Sequence, residues 1–256
     1  MARQTDYRAI APAFDRRYEV SDYSAVEAAL GIFLASEMRI DALDCGCGTG
    51  YWLNKLASHD RHLVGLDASA EMLTQAARGR DLELVHAQAE YLPFEGGSFD
   101  RVFCVNSFHH FASKPQFIAE VRRVLRRPGG FTTIGLDPHT GLDKWWIYDY
   151  FENTLDLDKQ RYLPAKVVCE LLTMVGFVDC RTEIVQCFLV AASARNTLDR
   201  GGLAKTVTSQ LAILTDDEYQ RGVQRIQADI ITAESNGREL LLFSNLRIYA
   251  TTAWLR

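Results

Sequence analysis

The run Leu43-Asp44-Cys45-Gly46-Cys47-Gly48-Thr49-Gly50 constrains this chain more than any other stretch. Arg39-Ile40-Asp41-Ala42 leads into it as a short apolar strand, and Tyr51-Trp52-Leu53-Asn54-Lys55-Leu56-Ala57 leaves it as a helix. Three glycines in five positions permit backbone angles closed to other residues. They also let a ligand lie against the main chain where the helix begins. A strand that turns through glycines into a helix is how nucleotide-like cofactors are held.

The segments that follow keep the alternation. His62 to Asp67 reads as a second apolar strand ending in an acid, and Ser69 caps a helix whose Met72, Leu73, Ala76 and Ala77 form a buried stripe up to Gly79. Leu82 to His86 and Phe99 to Val105 are the third and fourth strands, with Pro93 and Gly96-Gly97 between them. From Pro115, a helix sets Phe117, Val121, Val124 and Leu125 on its inner face. Arg122, Arg123, Arg126 and Arg127 form its solvated face and C-terminal end. Pro128-Gly129-Gly130 closes it and Phe131 to Leu136 gives a fifth strand. Five strands alternating with four helices predict a parallel sheet covered on both faces.

Past residue 136 the alternation breaks. Asp143 to Phe151 is unusually aromatic, Pro164 to Val175 is helical, and Val178 to Val190 is a long strand. Residues 191–236 read as helical, with a capping box at Thr215-Asp216-Asp217-Glu218 and Tyr219, Val223, Ile226 and Ile230 at helical spacing. Leu240 to Trp254 is the last strand. The N-terminal part, with Val26, Ala29, Leu30 and Phe33 on one face, is a helical lead-in over 1–36. At 256 residues the chain sits near the upper size of one core, so one domain over 1–256 is expected. Residues 40–136 would form its cofactor-binding core, with 137–163 and 191–236 as helical insertions.

A net charge of −5 with dispersed lysines and arginines offers no footprint for a nucleic-acid backbone. Cys45, Cys47, Cys104, Cys169, Cys180 and Cys187 lack C-x-x-C spacing, several fall in apolar strand-like segments where a thiol packs as a small hydrophobe, and no metal site is expected. No apolar run of about eighteen residues could span a bilayer. Met1 to Asp6 lacks the apolar core of a secretory signal, so a cytoplasmic protein is expected.

The glycine run, Gly65 to Leu73, Ala89 to Asp100, Asn106 to Phe111 and Glu120 to Gly130 together resemble class I S-adenosylmethionine-dependent methyltransferases of the small-molecule, type 11-like kind. The resemblance covers residues 40 to 136. It implies a Rossmann-like, doubly wound, seven-stranded mixed sheet whose helical insertions form a cap. The glycine spacing, Gly-x-Gly-x-Gly after an acid, departs from the dinucleotide pattern Gly-x-Gly-x-x-Gly.

By that resemblance the cofactor is S-adenosyl-L-methionine. Gly46 and Gly48 pass its methionine part, and Asp44 shapes the loop or holds the ammonium through water. Asp67 binds the ribose, Ala68 and Met72 line the adenine, and Ala89 and Glu90 flank its polar edge. Asn106 offers its carbonyl to the ammonium, and Tyr18 closes the cofactor side. Gln88 stands where the family usually has an aspartate, and can accept the adenine amino hydrogen only without charge assistance.

Methyl transfer is an in-line displacement in which a protein supplies position, dehydration and proton removal, so no catalytic residue is obligatory. His109, His110, Asp137 and His139 are the candidates, each with a structural role as the alternative. Phe14, His110, Trp145, Trp146 and Tyr150 are candidates for an acceptor pocket suited to a planar or apolar small molecule. The expected partner is that acceptor, with neither nucleic acid nor membrane, and the chain a monomer or homodimer. The rival reading is a non-catalytic S-adenosylmethionine-binding regulatory protein on the same fold.

Overall fold

The computed structural model describes residues 15, 18, 21–78 and 82–256. Its first half runs α1 (Ser24–Phe33), β1 (Ile40–Cys45), α2 (Tyr51–Leu56), β2 (Arg61–Asp67), α3 (Ala70–Ala76), β3 (Glu83–His86), β4 (Phe99–Val105), α4 (Lys114–Val124) and β5 (Leu125–Gly135). There follow β6 (Lys144–Trp145), α5 (Trp146–Tyr150), α6 (Thr154–Arg161), α7 (Ala165–Met174), β7 (Val178–Ser193), α8 (Ala194–Asp199), α9 (Ser209–Ala212), α10 (Asp216–Ser235) and β8 (Leu241–Leu255). Phe14 and Gly79 lie outside the described residues.

β1 to β5 are parallel in the order β3-β2-β1-β4-β5, and β8 then runs antiparallel to β5. β7 pairs antiparallel along nearly the whole of β8, while β6 touches β8 only at Ser244 and Asn245. The mixed doubly wound sheet is as expected, with eight strands instead of seven. The addition is β6, too short to be read from a period of two.

Alternation along each strand divides the core between the two faces of the sheet. Leu43 and Cys45 of β1, with Val102 and Cys104 of β4, pack on one side with Phe117, Val121 and Val124 of α4. Ile40 and Ala42, with Phe103 and Val105, pack on the other with Val26 and Leu30 of α1. A third cluster belongs to the insertions: Ile147 and Phe151 meet Leu211, Leu214, Ile226 and Ile230 over Leu242 of β8. The capping box at Thr215 and Glu218 starts α10.

Two expectations change here. The helix before Pro128 ends at Val124 and the strand begins at Leu125, so Leu125 belongs to the sheet, while Arg122, Arg123 and Arg127 stand exposed as expected and Arg126 is half-buried. Arg126 pairs with Asp41 at 2.7 Å and Asp100 at 2.9 Å, and Arg123 donates to Leu92 O at 2.8 Å and Phe94 O at 2.6 Å. Cys169 of α7 and Cys180 of β7 form a disulfide with Cα atoms 5.6 Å apart, so these two are not packed thiols. Cys45, Cys47 and Cys104 are buried free thiols, whereas Cys187 is free but exposed. No described helix is long and apolar enough to cross a membrane.

Candidate functional site

β1 and β4 are sheet neighbours, yet their connections leave toward opposite edges, β1 to β2 and β4 to β5. The crevice this opens beyond their carboxyl ends is where open parallel sheets place ligands. A cavity of about 850 Å³ lies there, near the top of the range for small-molecule sites.

The glycine loop forms one wall. Gly46, Gly48 and Gly50 have φ of 74°, 55° and 72°, all in the region that favours glycine. A Cβ on Gly46 would stand 2.5 Å from Ser107 Cβ, so at this position the turn tolerates nothing larger. The amides of Gly46 and Cys47 both donate to Leu66 O, at 2.7 and 3.0 Å, which ties the turn to β2. Asp67, at the end of β2, completes the tie: Oδ2 accepts from Gly48 N and Oδ1 from Ser69 N, each at 2.8 Å. Burial leaves the Asp67 carboxyl above its ordinary range, although these amides oppose the shift.

Asp44 lies behind the loop and does not itself line the cavity. It is 1% exposed, and neither carboxylate oxygen has a hydrogen-bond partner. Burial, followed by the charge of Asp67, pushes its carboxyl well up. A buried unpartnered acid next to a glycine turn is the local arrangement a cation would relieve.

The remaining residues expected at the cofactor do line the cavity. Ala68 and the buried Met72 come from the start of α3, with Ser69 capping that helix by accepting from Met72 N at 3.2 Å. Gln88 and Ala89 come from the loop after β3, and Glu90 beside them accepts from Ser113 N at 3.1 Å. Asn106, with φ of 52°, turns the chain out of β4 while its N–H donates to Ile134 O at 2.7 Å. Tyr18 lines the cavity and stacks on Tyr51 with ring centres 3.6 Å apart. Nearby, Thr49 Oγ1 donates to Asp15 at 2.5 Å.

The acceptor-side expectations divide. His109 and His110 line the cavity; the His109 ring stacks on Tyr162 at 4.0 Å, whose hydroxyl is 3.2 Å from Nε2. Asp137 and His139 lie outside the walls of the large cavity. Asp137 accepts from His139 N and Ala165 N, each at 3.0 Å, and His139 Nε2 lies 2.9 Å from Tyr162 O, so both serve to fix the start of α7. Trp145, Trp146 and Tyr150 also stand outside it. They pack on the insertion's own core, where Tyr150 OH donates to Asp229 at 2.8 Å.

What the insertions contribute instead is Leu157, Gln160 and Arg161 of α6, and Ile213 just after α9. Sequence reading missed these, along with Lys114 and Trp52. A local signal was Asp158-x-x-Arg161, a charge pair at helical spacing, though Asp156-x-x-Lys159 in the same helix shares it.

A methyltransferase-domain family profile matches residues 43–134. A demethylmenaquinone methyltransferase of Thermotoga maritima is 34% identical over 155 residues, covering 55% of this chain and 67% of that one. An uncharacterized 37.1 kDa protein of a Streptomyces fradiae transposon is 40% identical over 203 residues, covering 77% of this chain and 53% of that protein. The solved structure of YcgJ from Bacillus subtilis matches in fold with a TM-score of 0.62 at 18% identity, covering 92% of this chain and 99% of that chain. The chain spans about half the length of the first curated relatives it matches.

Proposed function

The chain belongs to the class I S-adenosylmethionine-dependent methyltransferases, and from that premise we propose that it moves a methyl group from S-adenosylmethionine to a small-molecule acceptor. The observation that carries this reading is the 850 Å³ cavity, roomy enough for two ligands and bounded by both the glycine loop and the insertions. Unpartnered Asp44 and the crowded face of Gly46 suit a cofactor with a cationic methionine end. When bound, S-adenosylmethionine supplies an electrophilic methyl group on a sulfonium.

In this reading each Asp67 oxygen, holding one backbone N–H already, keeps a lone pair for a ribose hydroxyl. Gln88 accepts from the adenine amino group, between Ala68 and Met72 on one side and Ala89 and Glu90 on the other. The Asn106 carbonyl, with Asp44 behind the loop, orients the ammonium. His109, held by Tyr162, is a positioning residue, and proton removal from the acceptor falls to His110. The insertions 137–163 and 191–236 cap the acceptor through Leu157, Gln160, Arg161 and Ile213, which exclude water as the methyl moves. These walls suit an acceptor with a planar or apolar body. Action in the cytoplasm, as a monomer or homodimer without nucleic acid, belongs to the same proposal. In that setting the Cys169–Cys180 pair would meet reducing conditions.

Titration calorimetry with S-adenosylmethionine and a metabolite screen with labelled methyl donor test the reading together. Binding followed by labelled product is expected. Absence of any binding heat sinks the donor assignment, and binding without product from any acceptor class sinks the catalytic one.

A further inference from the structure

Among the described residues, the lysine and arginine that line the cavity are Lys114 and Arg161, and neither has a part in the contacts proposed for the cofactor. They arrive from different elements. Lys114 opens α4, and its Nζ donates to His109 O at 3.2 Å and Phe111 O at 2.8 Å, leaving one of three donors over. Arg161 closes α6 and is held at one corner, where Nη2 pairs with Asp158. Its Nε and Nη1 are enclosed and have no acceptor. Donors shut away in this manner are rare in native proteins.

Asp158 is wholly buried and anchors the arginine firmly. Tyr148 OH donates to it at 2.7 Å, and Gln210 Nε2 lies 3.1 and 3.3 Å from its oxygens. Arg161 is therefore fixed from behind while part of its hydrogen-bonding capacity goes unused. Burial holds the Lys114 ammonium below its ordinary range; Glu90 opposes that shift and Arg161 adds to it. Two like charges share one cavity. Asp158 and Glu90 already balance these two cations, so a singly charged carboxylate is better tolerated than a dianionic phosphate.

Building on the methyl-transfer reading above, we propose that the acceptor bears a carboxylate, held between Arg161 and Lys114, with its apolar body against Phe111, Leu157 and Ile213. The guanidinium supplies a charge-assisted hydrogen bond to the carboxylate, and the lysine adds a point charge.

The test uses the whole chain saturated with S-adenosylhomocysteine, titrated with 3-phenylpropionate and with 3-phenylpropanamide, which share a shape and differ in charge. The acid is expected to bind about tenfold tighter or more, as for a charge-assisted pair. Lys114→Gln should reduce that preference. Arg161→Gln would strand the buried Asp158 charge, so Arg161→Gln combined with Asp158→Asn is made instead, and it too should reduce the preference. Intact S-adenosylhomocysteine binding with acid and amide bound alike overturns this proposal alone, as does a preference that survives in both variants. No S-adenosylhomocysteine binding by the unaltered chain overturns the donor reading and this proposal with it.

Discussion

Asp44 shows how a site can hold an acid at a cost to the empty protein. Its carboxyl, pushed up by burial and by Asp67, gains a proton more readily folded than unfolded. A raised folded-state value means that stability falls as pH climbs above the unfolded value of about 4, until the folded carboxyl itself ionises. Asp44→Asn should therefore raise the melting temperature of the ligand-free chain at neutral pH. The advantage should vanish in melts recorded below about pH 4. Gln88 makes the opposite kind of prediction. Gln88→Leu removes one neutral hydrogen bond from the proposed adenine edge, so calorimetry should show S-adenosylmethionine binding weakened about fivefold, or about 1 kcal/mol. An unchanged dissociation constant removes Gln88 from the site. At this scale the contiguous part of the site was readable in the sequence, because the glycine loop, Asp67 and Gln88 to Glu90 sit in short motifs with a fixed chemistry. Arg161 was not, since its role depends on Asp158, Tyr148 and Gln210, brought together only by folding.

Among the elements, α10 carries an apparent contradiction. Gly222 sits inside a twenty-residue helix, where alanine would normally be favoured by about 1 kcal/mol. A Cβ there would stand 2.2 Å from the Phe151 ring, so the glycine exists for close packing of α10 on the aromatic segment. Gly222→Ala should thus destabilise, by about 1–3 kcal/mol in denaturant melts, against the helix preference. A stabilised variant would show that Phe151 moves freely. The same contact explains why the aromatic run was ambiguous in the sequence. Trp145 to Phe151 could equally have faced a ligand, and periodicity does not tell a lid from its own packing. Helix starts were more legible, because caps such as Ser69 and Thr215 act on their own neighbours.

For the molecule as a whole, the parallel half followed from alternation, whereas the disulfide required two elements to be docked before its cysteines could be seen as partners. Cys169 and Cys180 are eleven residues apart and join α7 to the edge strand β7. Reducing them, or replacing both by serine, should lower unfolding free energy by no more than about 3 kcal/mol, the entropy of so short a loop. Calorimetric melts with and without reductant check this, and S-adenosylmethionine affinity should hardly change. The position of β8 has a different consequence, in the order of assembly. β8 pairs with β5, β6 and β7, and Leu242 lies beneath the insertion core, so both the outer sheet and that core wait on Leu241–Leu255. β1, β2 and β4 need no such late arrival. A nascent chain that has not yet released β8 would lack the strand on which the outer sheet and the insertion core are built.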